Sequence, residues 1–139
     1  MKKLLLFPVL IAFFLSCTNN KEESNTTKDT KITLHTGTVN IVKLTDTLVI
    51  YESTCRGCAY EQSTHFDISD SLGIVKLFAV HTKDNNSADI NGGSISKDLI
   101  IVPVKAGTTT VKLYKFLKEE TTVEDSAKFI PYTIEVQNY

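Results

Sequence analysis

The chain has 139 residues, 42% of them hydrophobic, and its 15 Lys and Arg against 16 Asp and Glu give a formal charge of −1. That balance supplies no basic face to follow a phosphate backbone, which excludes a nucleic-acid partner. The length allows one hydrophobic core and no second domain.

Residues 1–16 read as a targeting segment. Lys2 and Lys3 form a positive start, Leu4 to Leu15 an apolar run broken by Pro8, and Ser16 a small residue before Cys17. This is the layout of a secretory signal peptide, and the run is too short for a comfortable membrane span. Phe14-Leu15-Ser16-Cys17 resembles the lipobox of bacterial lipoproteins, with Phe14 in place of the usual Leu. The resemblance implies a mature chain that starts at acylated Cys17 and meets the membrane through its lipid. Loss of two Lys would leave that chain with a charge of −3. Residues 17–30 carry no large apolar side chain and are expected to be a disordered tether. Lys21-Glu22-Glu23 resembles a surface-export signal of Gram-negative lipoproteins, against the plainer reading of a polar linker. The expected location is the outer membrane, periplasmic or surface-exposed.

From Lys31 to Tyr139 the pattern becomes that of strands. Ile32 and Leu34 alternate with polar neighbours, as do Val39 and Ile41. Leu48 to Tyr51 is a continuous apolar run, suited to a strand buried on both sides. Ile74, Leu77 and Val80 belong to a longer stretch, and Leu99 to Val104 is another buried-looking run. Val111 and Leu113 alternate with Lys112 and Tyr114, and Ile130, Tyr132, Ile134 and Val136 give the cleanest alternation. Polar or Gly-bearing turns separate these runs at Thr45-Asp46-Thr47, Asp70 to Gly73, Asp84 to Gly93 and Ala106-Gly107. No stretch keeps a helical period. The expectation is an all-β antiparallel sandwich of about seven strands over residues 31–139.

Cys55-Arg56-Gly57-Cys58 is the most distinctive local feature. A thioredoxin-type site needs this motif at a helix N-terminus, and here it follows a strand. Haem attachment needs His after the second Cys, where Ala59 stands. His65 and His81 are the nearest further ligands for zinc, at spacings that match no finger. The favoured reading is a disulfide between Cys55 and Cys58 that pins a tight loop in an oxidising compartment, with redox or metal chemistry as the alternative. His35, His65 and His81 are isolated and read as surface or satisfied side chains. Glu119, Glu120, Glu124 and Asp125 crowd one connection without the spacing of a calcium loop and read as solvated. No nucleophile, phosphate-loop or metalloprotease motif is present, so no enzyme, cofactor or metal is expected. Asp46-Thr47-Leu48, Asp70-Ser71-Leu72 and Asp125-Ser126-Ala127 resemble bacterial O-glycosylation sites, although Asp-Ser and Asp-Thr are also good turn formers.

The order of features over Thr38 to Asn138 resembles the chagasin-like inhibitors of papain-type cysteine proteases. An apolar strand runs into Ser53 to Tyr60, a long polar stretch ends in Gly92-Gly93, and Lys105-Ala106-Gly107-Thr108 precedes an alternating strand. An acidic loop then leads to Tyr132 to Val136. The resemblance implies an immunoglobulin-like sandwich with three loops at one end that wedge into a protease cleft. The family's first loop carries N-P-T-T-G-aromatic, of which Gly57 and the later Tyr60 match. Its second carries G-x-G-G, of which Ile90-Asn91-Gly92-Gly93 keeps two glycines. The R-P-W/F of its third is absent near Leu117-Lys118-Glu119. With those motifs mostly missing, the first reading is a non-enzymatic binding module for a protein partner. Its contact residues would be Arg56, Gly57, Tyr60, Asn91, Gly92 and Gly93. Inhibition of a cysteine protease is the alternative.

Overall fold

A computed structural model describes residues 31–84 and 92–138. Cys17, the signal segment, the tether and Asn91 lie outside the described residues. The strands in chain order are β1 (Lys31–Thr33), β2 (Val39–Lys43), β3 (Thr47–Cys55), β4 (His65–Ser69), β5 (Val75–Lys83), β6 (Ser94–Pro103), β7 (Gly107–Phe116) and β8 (Ile130–Gln137). One helical turn, α1 (Val123–Ser126), precedes β8. Two four-stranded sheets run β1-β3-β6-β5 and β2-β8-β7-β4.

The core lies between the sheets. Leu48 and Ile50 of β3 sit opposite Ile101 and Leu99 of β6. On the facing sheet, Val111 of β7 pairs with Tyr132 of β8, and Leu113 and Ile134 complete the layer. All are fully or almost fully buried. A strand turns alternate side chains to one face, so two strands with matched alternation build such a layer at once. Tyr51, Val80, Val104 and Ile130 break the expected runs and are exposed. Tyr51 points to the outer face of its sheet, and Val104 and Ile130 mark strand ends, where the facing sheet no longer covers the chain.

Two features depart from the sequence reading. The described residues form eight strands rather than about seven, because His65–Ser69 forms β4 with Phe66 and Ile68 turned toward the core. Two pairs are parallel, β1 with β3 and β2 with β8. The chain adds β1 to one sheet, turns at Gly37 and adds β2 to the other. In β2 the phase is also reversed. Val39 and Ile41 are 49% and 60% exposed, while Asn40 and Val42 face inward. Asn40 fixes this phase. Its Nδ2 donates to the carbonyls of His35 and Thr133, and its Oδ1 accepts from the His35 amide, each at 2.9 Å. A buried amide so well satisfied carries little penalty, and the edge strand follows it.

The register places the ends of β3, β5 and β7 and the starts of β4, β6 and β8 at one pole. Cys55 lies beside Ser94, Lys83 beside Ser96, and His65 beside Phe116. At the opposite pole Asp70 organises the β4–β5 turn. Its carboxylate accepts from the amides of Leu72, Ile74 and Val75 and from Thr109 Oγ1, at 2.6 to 3.0 Å. Burial pushes its pKa up, but the bonds from Thr109, Val75, Leu72 and Ile74 together outweigh burial and hold it below the ordinary value.

Candidate functional site

Three connections meet at the first pole: loop 1 (56–64), loop 2, whose described ends are Asp84 and Gly92-Gly93, and loop 3 (117–129). Loop 1 begins in a ring closed by the Cys55–Cys58 disulfide, with the two Cα atoms 5.9 Å apart. Gly57 within the ring has φ of 74°, a conformation that favours glycine. Its amide donates to Glu61 Oε2 at 2.5 Å. The rest of the loop is tightened by Glu61 N to Cys58 O at 3.2 Å and by Thr64, whose amide and hydroxyl both donate to Tyr60 O.

Loop 1 is tied to each neighbour. Arg56 N donates to Gly93 O at 3.0 Å, and Arg56 Nε stands 3.3 Å from Asp84 Oδ2, so one residue holds both described ends of loop 2. On the other side Ser63 Oγ donates to Leu117 O of loop 3 at 2.6 Å. Below the loops Lys115 Nζ reaches from β7 to Ser53 O at 2.5 Å and to Glu52 at 3.7 Å. It thereby joins the two sheets at this pole. Tyr60 and Leu117 both line a cleft of about 360 Å³ whose wall also includes Lys118, Glu120, Thr122, Asp125 and Lys128. Next to these contacts, Thr54 Oγ1 is buried with no hydrogen-bond partner.

Loop 3 is solvated, with Glu119, Glu120 and Glu124 exposed, and holds one ordered turn. Thr122 Oγ1 accepts from the Asp125 amide, and Asp125 Oδ2 accepts from the Thr122 amide and hydroxyl at 3.0 and 2.8 Å. This reciprocal cap starts α1. The Thr122 backbone and hydroxyl bonds hold the Asp125 pKa below its ordinary value, with smaller help from Lys128 and Lys118. Thr122 and Asp125 at a spacing of three are the signal in the sequence that would have revealed this turn. The outer face beside the loop carries stacked rings. His65 lies 5.1 Å from Phe116, its cross-strand partner, and Tyr114 lies parallel to Phe116 at 5.7 Å. His65 is thus a packed surface side chain.

The expected contact residues divide. Gly57, Tyr60 and Gly93 are exposed at the pole, and Gly92 is half-buried. The Arg56 side chain is only 19% exposed and works behind the surface. Cys55 and Cys58 are bonded to each other at the end of β3, where no helix begins. Among the described residues no three His, Cys, Asp or Glu side chains cluster to hold an ion. The three Asp of the glycosylation-like triplets are engaged in local bonds, with Asp46 Oδ2 accepting from Lys43 N at 2.7 Å. Leu117, Ser63 and Glu61 belong to the site and were not among the expected residues.

Neither a family model nor a curated protein sequence matches the chain. Among solved structures, a cysteine protease inhibitor from Entamoeba histolytica superposes with a TM-score of 0.56 at 18% identity, over 78% of this chain and 95% of that one. Amebosin in solution gives 0.48 at 12% identity, over 79% of this chain and 97% of its own. Taken with the two packed sheets and the shared loop pole, the first of these likenesses shows that the domain has the chagasin-like, immunoglobulin-like sandwich fold.

Proposed function

We propose that the protein inhibits papain-type cysteine proteases by lodging its loop pole in their active-site cleft. The observation that carries this reading is the joining of three loops into one edge. Loop 1 is bonded to loop 2 through Arg56 and Gly93, and to loop 3 through Ser63 and Leu117. Little conformational freedom remains to be lost when such an edge enters a cleft, which favours affinity. The likeness to a protease inhibitor supports this reading over a binding module of unspecified partner. Glycines at Gly57, Gly92 and Gly93 let backbone approach a cleft closely, and Tyr60 supplies an aromatic contact of the kind that dominates interfaces. A disulfide in the leading loop fits a recognition role as well as it fits redox chemistry, and its place at a strand end favours the former.

In the same proposal the domain is held at the outer membrane through acylated Cys17, on its periplasmic or outer side. The apolar run and lipobox-like tetrad support this.

The test is the inhibition constant of the purified protein against a panel of papain-type proteases. Tight, reversible, active-site-directed inhibition is expected, weakened about tenfold or more by Tyr60→Ala with no change in melting temperature. Absence of inhibition across the panel would remove the proposal.

A further inference from the structure

Val123 stands at the head of α1 in loop 3 with 90% of its surface in water, more than any other large hydrophobic side chain among the described residues. The turn that carries it is held at both ends. Beyond the reciprocal Thr122–Asp125 cap, Ser126 donates from its amide and hydroxyl to Thr122 O. The amides of Ala127 and Lys128 bond back to Glu124 and Asp125. The base of the loop is fixed to loop 1 through Leu117. An aliphatic side chain presented this way keeps its hydration cost until a partner covers it, and covering it orders nothing further. Around it Glu119, Glu120 and Glu124 are exposed, and the loop as a whole holds four carboxylates against two Lys. An apolar centre within a charged rim is the usual anatomy of an interface, and an acidic rim is complemented by a basic one.

We propose that Val123 sets the specificity of the inhibitor. It fills an aliphatic pocket in the cleft of a cysteine protease whose rim on that side is basic. The inference rests on the inhibitor reading and adds to it the residue that loop 3 uses and the kind of protease it selects.

The experiment measures inhibition constants of the full protein and of Val123→Ala, Val123→Asp and Thr122→Ala. The panel consists of papain-type proteases that differ in charge beside the cleft. Val123→Ala is expected to weaken inhibition about tenfold and Val123→Asp about a hundredfold, through loss of apolar burial and then burial of an unpaired charge. Melting temperatures should not move, because the side chain touches solvent. Thr122→Ala leaves Val123 in place but loosens its turn, and should weaken inhibition about threefold to tenfold. Proteases with a basic rim should be inhibited most, with an effect that falls as salt rises. A Val123→Asp protein that inhibits as well as the parent would overturn this inference and leave the inhibitor reading standing. A parent protein that inhibits nothing in the panel would overturn both.

Discussion

Single residues explain much of why this chain holds its shape. Asp70 anchors the pole opposite the loops by accepting four hydrogen bonds, and its folded-state pKa is lower than its unfolded one. A carboxyl of that kind stabilises the fold fully above its ordinary value of 3.8 and loses the contribution as pH falls through the depressed value. Asp70→Asn keeps one acceptor oxygen and the group is partly screened by solvent, so it should cost about 1 kcal/mol near neutral pH. The gap from the parent should close in acid unfolding curves. Thr54 presents the opposite case. Its hydroxyl is buried without a partner, so Thr54→Val should raise stability by about 1 kcal/mol in denaturant titration. A loss of similar size would show that the hydroxyl is satisfied.

At the level of elements, the strands whose partners lie nearby in pattern were the legible ones. β8 could be read directly, because Tyr132, Ile134 and Val136 face one core and their neighbours face solvent. β2 could not, since its phase is set by three hydrogen bonds of Asn40, and hydropathy carries no record of them. β4 is only faintly marked, because Phe66 and Ile68 are two apolar residues in a polar stretch that starts at His65. The link between loops 1 and 3 joins residues 54 positions apart and exists only once the register of β4 on β7 is fixed. The Cys55–Cys58 ring was legible from the close spacing of two Cys after a strand with no helix to follow. A ring this small removes little unfolded-state entropy, so Cys55→Ser/Cys58→Ser should lower global stability by about 1 kcal/mol or less. The same double variant should raise amide exchange in residues 56–64 and weaken protease inhibition by more than tenfold. Unchanged inhibition would show that the ring has no part in ordering the edge.

For the whole molecule, the three joined loops lie at one pole and the Asp70-centred turn at the other. Fold class was available from the sequence, since Leu48–Ile50 and Leu99–Ile101 are buried runs with turns between them. The meeting of the three loops was available only through the chagasin-like resemblance until register placed them together. Membrane attachment is tested independently of the domain. Labelling with palmitate should be lost in Cys17→Ala, and an N-terminus at Met1 in the mature protein would refute the lipid anchor.

The two strands that open and close the domain share a direction of exit. β1 starts with Lys31 beside Thr47, and β8 finishes with Gln137, one residue past the Val136–Gly107 pair, both at the pole that carries no loop of the candidate site. A bead or a probe coupled beside either of these strand ends would therefore lie at the pole away from the three joined loops. Coupling beside Lys31 or Gln137 is expected to leave the three loops uncovered, which suits the domain to arrays on a solid support.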